Sequence, residues 1–264
     1  MKRILKYSRL MKAFFKASFV ADLEYRANFA TRILTDIIWY AAQVLMFEAL
    51  FRVTDTIGSW NLAQTRVFLG VLFVVDAFYM IFFSENLDHM SDKVRKGEID
   101  LLLAKPVSSQ FMVSLQRINT AIFGNLLIGL VWLYFALSSL PDFQWIRLLW
   151  LLLLIPAGLL SLYSIRFMFC SLAMLFTRAD NIQYLWFQLY RLGMRPDSIY
   201  VPWLKVLVLT ILPVAVVASV PSRALLDPPH ISLFVFVSIW SIGLVYLSHR
   251  FWNYCLRHYS SASS

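Results

Sequence analysis

Between Ile146 and Phe176 the chain runs for 31 residues with only Arg147 and Arg166 charged. About 20 apolar residues are enough for a helix to cross the ~30 Å hydrocarbon core of a bilayer. A run of this length must tilt or leave the membrane before its end. Comparable runs recur along the chain: Ile33 to Val53, interrupted by Asp36, Gln43 and Glu48; Arg66 to Phe83; Phe111 to Leu137; and His230 to Ser248. With 22 Phe and 9 Trp among 264 residues, the chain carries more apolar surface than one compact core hides from water. It is read as an all-α integral membrane protein forming a single transmembrane domain over residues 1–264.

Two readings are open between Arg178 and His230. Trp203 to Val220 is the more apolar segment, yet Pro213 splits it and Pro196, Pro202 and Pro221 flank it. In one reading it is the fifth span, and Arg178 to Arg195 is an amphipathic helix on the cytoplasmic side. In the other, Arg178 to Arg195 is a protein-facing fifth span. The proline-broken segment, within residues 196–229, then enters and leaves the membrane from the outer side as a re-entrant pair. Irregular backbone at membrane depth is tolerated where protein or water covers it.

The formal charge of +9 follows from 24 Lys+Arg against 15 Asp+Glu. In a soluble protein that excess suggests nucleic acid; in a membrane protein it marks cytoplasmic loops, so no nucleic-acid partner is expected. Counting by position puts 18 of the 24 basic residues on one side in the first reading and 15 in the second. Both place the two termini in the cytoplasm. Residues 1–30 hold Lys2, Arg3, Lys6, Arg9, Lys12 and Lys16 at helical spacing among large apolar residues, the pattern of an amphipathic helix on the bilayer surface. Lys12 and Lys16 also break the uninterrupted apolar run that a cleaved signal peptide requires.

No phosphate-cradling loop, zinc-protease motif, paired-cysteine motif or nucleophile elbow is present, so no catalytic residue is expected. The histidines, His89, His230, His249 and His258, are scattered at span ends, and no metal site or bound cofactor is expected. Cys170 and Cys255 read as two reduced thiols.

The informative polar stretch is the loop at residues 84–110. Its charged half leads to Gly97; then Ile99, Leu101, Leu102 and Leu103 present a short apolar surface that Pro106 ends. Such a helix either inserts these side chains into a groove on a cytoplasmic protein or packs them on its own bundle.

The run Arg95-Lys96-Gly97-Glu98-Ile99-Asp100-Leu101-Leu102-Leu103-Ala104-Lys105-Pro106 resembles the stretch between the second and third spans of type-2 ABC exporter permeases. Ile57-Gly58-Ser59-Trp60, Arg195-Pro196 with Ile199-Tyr200-Val201-Pro202, Leu212-Pro213-Val214-Ala215 with Val220-Pro221, and the terminal Tyr259-Ser260-Ser261-Ala262-Ser263 are similar to motifs of its small bacterial branch. Ser261 and Ser263 stand where that branch tends to have glycine, and Asp197 falls in a usually apolar stretch. The resemblance implies six transmembrane helices, an N-terminal elbow helix, outer re-entrant helices between spans five and six, and residence in the bacterial inner membrane. It also implies that Gly97, Glu98, Ile99, Asp100, Leu101, Leu102 and Pro106 form a coupling helix. That helix would dock on a cytoplasmic ABC ATPase dimer, which uses the ATP and magnesium. A second permease subunit, identical or not, would complete the pathway.

Ionisable side chains inside spans cost ~2.5–3.5 kcal/mol each on insertion scales, so they should face the interior and pair. Asp36 and Glu48 on span one, Asp76 on span two, Arg117 on span three and Arg166 on span four are such groups. An ion pair of Asp76 with Arg166 or Arg117 is the expected structural use, a substrate-pathway role the alternative. Asn119 and Asn125 are expected to act as interhelical hydrogen-bond partners. Two other functions fit the residues: a proton-coupled secondary transporter using Asp76 and Glu48, and a non-transporting membrane scaffold.

Overall fold

The computed structural model describes residues 2–24, 26–141, 143–176, 180–211, 217–227 and 231–259. These form thirteen α-helices joined by short turns: α1 (Lys2–Glu24), α2 (Arg26–Leu50), α3 (Leu62–Tyr79), α4 (Glu85–Asp88), α5 (Met90–Arg95), α6 (Glu98–Leu103), α7 (Ser109–Leu115), α8 (Phe123–Ser138), α9 (Leu148–Ser171), α10 (Asp180–Gly193), α11 (Pro202–Val206), α12 (Ser219–Leu226) and α13 (Ile231–His258). Five helical stretches among the described residues are long and apolar enough to cross a membrane: Ala30–Leu50, Leu62–Arg95, Thr120–Ser138, Trp145–Met174 and Ile231–His258.

Two helix pairs make the centre of the bundle. α3 and α8 run antiparallel and cross closely, because a Cβ on Gly70 would lie 2.8 Å from the Leu133 Cα, and one on Gly129 would lie 3.2 Å from the Phe73 backbone. Without lipid-excluding hydrophobic force, such pairs depend on small residues that let backbones approach. α9 and α13 run parallel, with Trp150 against Phe234, Phe167 against Trp252, and the Ser241 hydroxyl donating to Ala157 O at 2.8 Å. Leu149, Leu152, Ile239 and Ile242 remain exposed on this pair, as a lipid-facing surface requires.

Span two does not stop at Phe83. After Tyr79 it makes one π-helical turn, Met80–Ser84, and continues through α4 and α5. Span three, read from sequence as unbroken from Phe111 to Leu137, is split: α7 ends at Leu115, and residues 116–119 are not helical before a 3₁₀ turn leads into α8. The two irregularities complement each other. The Asn119 N–H donates to Ile81 O inside the π turn at 2.9 Å. Asn86, 1% exposed, bonds the Arg117 backbone on both sides, donating to its carbonyl at 2.6 Å and accepting its N–H at 3.0 Å. From α1, Ser18 accepts the Ile118 N–H and Asp22 accepts both the N–H and the hydroxyl of Thr120. A break at this depth persists because every exposed backbone group named here has found a partner.

The bundle therefore has a basic end, where α1, residues 90–110 and the end of α13 gather, and an opposite end. At the basic end Lys6 Nζ donates to Pro106 O, the Ser108 N–H donates to the Tyr7 hydroxyl, and Trp252 Nε1 donates to Ser109 Oγ. Cys170 and Cys255 are both buried near this end. At the opposite end Gly58, at φ +62°, makes the turn that pairs Ile57 with Trp60, and it lies against Ser198, where any side chain would collide at 2.7 Å. Arg147 donates to the carbonyls of Leu225 and Leu226 there.

α10 joins the two ends. Gln183 donates to Asp88 O near its start, and Tyr200 folds back to donate to Leu192 O near its finish. Burial pushes the ionisation of the Tyr200 hydroxyl up, with Arg195 opposing. The segment that follows returns to where it began: the Asp197 N–H meets Ser219 Oγ at 3.2 Å, while Arg223 and Lys205 hold the two carboxylate oxygens of Asp197 at 2.8 and 3.1 Å. Lys205 and Ser219, near the two ends of Trp203 to Val220, thus sit side by side on Asp197. Leu212 to Val216, including Pro213, and Arg178, His230 and Ser260 to Ser264 lie outside the described residues.

Candidate functional site

At the basic end α6 stands between α5 and α7. Gly97, at φ +70°, supplies the left-handed residue that starts it, and Glu98 and Asp100 sit favourably in its first turn. Its apolar residues divide. Ile99 and Leu102 are buried with Leu87, Met90, Phe167 and Trp252, whereas Leu101 is 70% exposed. The surface expected to face a partner is therefore narrower than the sequence suggests: Leu101 is its apolar point, with Glu98, Ala104, Lys105 and Pro106 exposed around it. Helical periodicity explains the division, since Ile99 and Leu102, three apart, share one face and Leu101 takes another.

Along the extension of span two, three cavities follow one another and share walls. The first, of about 270 Å3, opens at the basic end among Glu85, His89, Lys96 and Arg117. The second, of about 330 Å3, shares Glu85 and His89 with it and adds Arg32, Asp36 and Asn119. The third, of about 220 Å3, shares Asp36, Met80, Ser84 and Asp88 with the second and reaches inward to Asp76. Apart from Met194, its remaining wall is aromatic: Trp39 and Tyr40 from α2, Tyr79 from α3, and Trp186, Phe187 and Tyr190 from α10. The π turn at Met80–Ser84 lies where the second and third cavities meet.

The membrane charges pair differently from the expectation. Arg166, fully buried, bonds Asp88 at 2.6 Å, and Arg117 bonds Glu85 at 3.0 Å, with Arg32 at 3.6 Å from the same carboxylate. Asp76 instead accepts the Tyr190 hydroxyl at 2.5 Å. The expected pairing of Asp76 with Arg166 or Arg117 fails because span two stays helical past Phe83. That continuation carries Glu85 and Asp88 to the arginines, leaving Asp76 about 18 Å further along the helix than Asp88. Asp36 accepts from Asn125 Nδ2 at 2.6 Å, so Asn125 does bridge two helices. Asn119 lies in the break of span three, not on a helix with Asn125, and its Oδ1 has no partner among the described residues. Glu48 is at the opposite end, paired with Arg66 at 2.7 Å, far from the cavities.

Hydropathy marks Asp22 only as a polar residue before the first span and Tyr190 only as part of an amphipathic stretch, and it gives no role to Asn86 or Ser18. Ser18 and Asp22, four apart on α1, gave the one available signal, two polar residues on a face otherwise apolar or basic.

Compared with family models, residues 37–263 match the ABC-2 family transporter protein model. The chain belongs to the ABC-2 transporter family. It is a multi-pass membrane protein, and the ABC-2 family is a membrane component of transporters that does not itself catalyse. No curated protein and no solved structure matches the chain. Against this ABC-2 permease the sequence motifs acquire places. Ile57 to Trp60 meets the stretch from Arg195 to Pro202 at the opposite end through the Gly58–Ser198 contact, and Gly97 to Pro106 lies at the basic end with Leu101 on its surface.

Proposed function

We propose that this chain is the membrane-spanning half-unit of an ABC exporter, driven by a separate cytoplasmic ATPase that docks at α6, with the basic end in the cytoplasm of a bacterial inner membrane. The observation that carries the reading is α6 itself. It is a six-residue helix, anchored inward by Ile99 and Leu102 and offering Leu101 outward, built on the continuation of a membrane span. A push on Leu101 is transmitted through Ile99 and Leu102 to Leu87, Met90 and Trp252, and so to span two and span six. In this reading α10 is the fifth of six crossings, residues 196–227 are the outer re-entrant region, and a second permease completes the pathway. The concentration of basic residues around α1 and α5 supports the orientation.

Co-expression with the ATPase subunit and affinity purification tests it. The ATPase is expected to co-purify with the wild-type chain and to be lost from Leu101→Asp, which changes an exposed residue and leaves the core intact. An ATPase that never accompanies the wild type, or that ignores Leu101→Asp, sinks the proposal.

A further inference from the structure

The innermost cavity carries a chemistry that the docking surface does not. Asp36 and Asp76 both line it, and neither has a basic side chain within ion-pair distance among the described residues; each accepts a neutral donor instead, Asn125 Nδ2 and the Tyr190 hydroxyl. The third carboxylate on its wall, Asp88, is compensated by Arg166. Two hydroxyls on the same wall, Tyr40 and Tyr79, are 4% and 5% exposed and have no hydrogen-bond partner among the described residues. Arg32, one turn from Asp36 on α2, eases its charge from a distance, but a native interior rarely strands two hydroxyls beside two carboxylates that lack a direct ion pair without something to meet them.

The aromatic rings narrow what that something is. Cations are attracted to ring faces within about 6 Å. Trp186 and Phe187 already hold one cation this way, with the Arg166 guanidinium 5.4 and 5.8 Å from their centroids. An inorganic metal ion is a poor match, since no three metal-ligating side chains converge among the described residues. An anion meets the charge of Asp36 and Asp76, and a neutral molecule leaves that charge uncompensated.

We infer that the cavity enclosed by α2, α3 and α10 binds an amphipathic organic cation, its quaternary or protonated amine head between Asp36 and Asp76 and its apolar body on the aromatic wall. The chain of cavities along Glu85, Asp88 and Asp36 gives such a molecule a route inward from the basic end, past Glu85 and Asp88, which arginines already pair, to Asp36 and Asp76. This assignment rests on the transporter reading and names its substrate class.

The test uses the full chain in lipid nanodiscs, co-expressed with its ATPase, and radiolabelled tetraphenylphosphonium as the probe. Saturable binding is expected, displaced by dodecyltrimethylammonium but not by dodecanol or by the charge-reversed tetraphenylborate. Asp76→Asn and Asp36→Asn are each expected to weaken it by about tenfold or more. Glu48→Gln, at the opposite end, is expected to leave it unchanged. Asp36 is only partly buried, so its variant carries the test should Asp76→Asn fail to fold. Absence of saturable binding, displacement by the neutral or anionic competitor as effective as by the cation, or full affinity in the Asp36→Asn protein overturns the inference. ATPase retention is scored on the same samples. A retained ATPase without probe binding sinks the substrate class alone, and probe binding without an ATPase sinks the ATP-driven reading alone.

Discussion

The same two spans, two and three, are packed in opposite ways in their two halves. Toward the opposite end, α3 and α8 touch through Gly70 and Gly129, at separations that leave no room for a methyl group without backbone movement. Toward the basic end the helices are interrupted, by a π turn on one and a break on the other, and are held by hydrogen bonds from Asn119, Asn86, Ser18 and Asp22. Close packing has one arrangement and resists shear, whereas a set of hydrogen bonds can be exchanged one at a time. The glycine crossing is the fixed half, and the hydrogen-bonded half, next to the cavities and α6, is where a docking event can be turned into motion.

The sharpest way to break this contrast is Gly70→Leu. It drives a side chain into the Leu133 backbone, and a loss of about 3 kcal/mol is expected, read as early unfolding in a detergent melt followed by tryptophan fluorescence. A melt close to wild type means the crossing is slack. Asn86→Leu is expected to cost about 2–3 kcal/mol, because it strands the Arg117 N–H and carbonyl in the interior. Of the two, it alone is expected to uncouple ATP hydrolysis from transport in the assembled transporter. Equal uncoupling by a mild substitution at the glycine crossing removes the distinction between the halves. Ser241→Ala on α13 deletes the hydroxyl that meets Ala157 O and Ser161 Oγ of α9, and a shift worth about 0.6 kcal/mol is expected. Glu48→Gln is the smallest: its pair with Arg66 is partly exposed, and a change within about 0.5 kcal/mol in the same melt is expected.

Much of this was legible in the sequence. The crossing helices follow from apolar runs, and the motif from Arg95 to Pro106 pointed to α6. What hydropathy lost was whatever the backbone decides. Residues 116–119, Gln-Arg-Ile-Asn, are a short polar interruption that a span-length average absorbs, and their conformation is set by Asn86 and Ile81, some 30 to 40 residues earlier. The partner of Arg166 was misassigned for a related reason: Glu85 and Asp88 look like loop residues until the π turn is seen to carry the helix onward. The division of α6 into a buried and an exposed face was open to a periodicity argument, but six residues are too few for the pattern to say which face goes inward.

The burial of Cys170 and Cys255 makes the wild-type chain a ready background for thiol mapping. Neither sulfur is offered to a bulky maleimide, so one cysteine introduced at Ser59 and another, in a separate protein, at Ala104 report their own side of the membrane to an impermeant reagent added to whole cells. Labelling at Ser59 alone orients the bundle with its basic end inward; labelling at Ala104 alone turns it over.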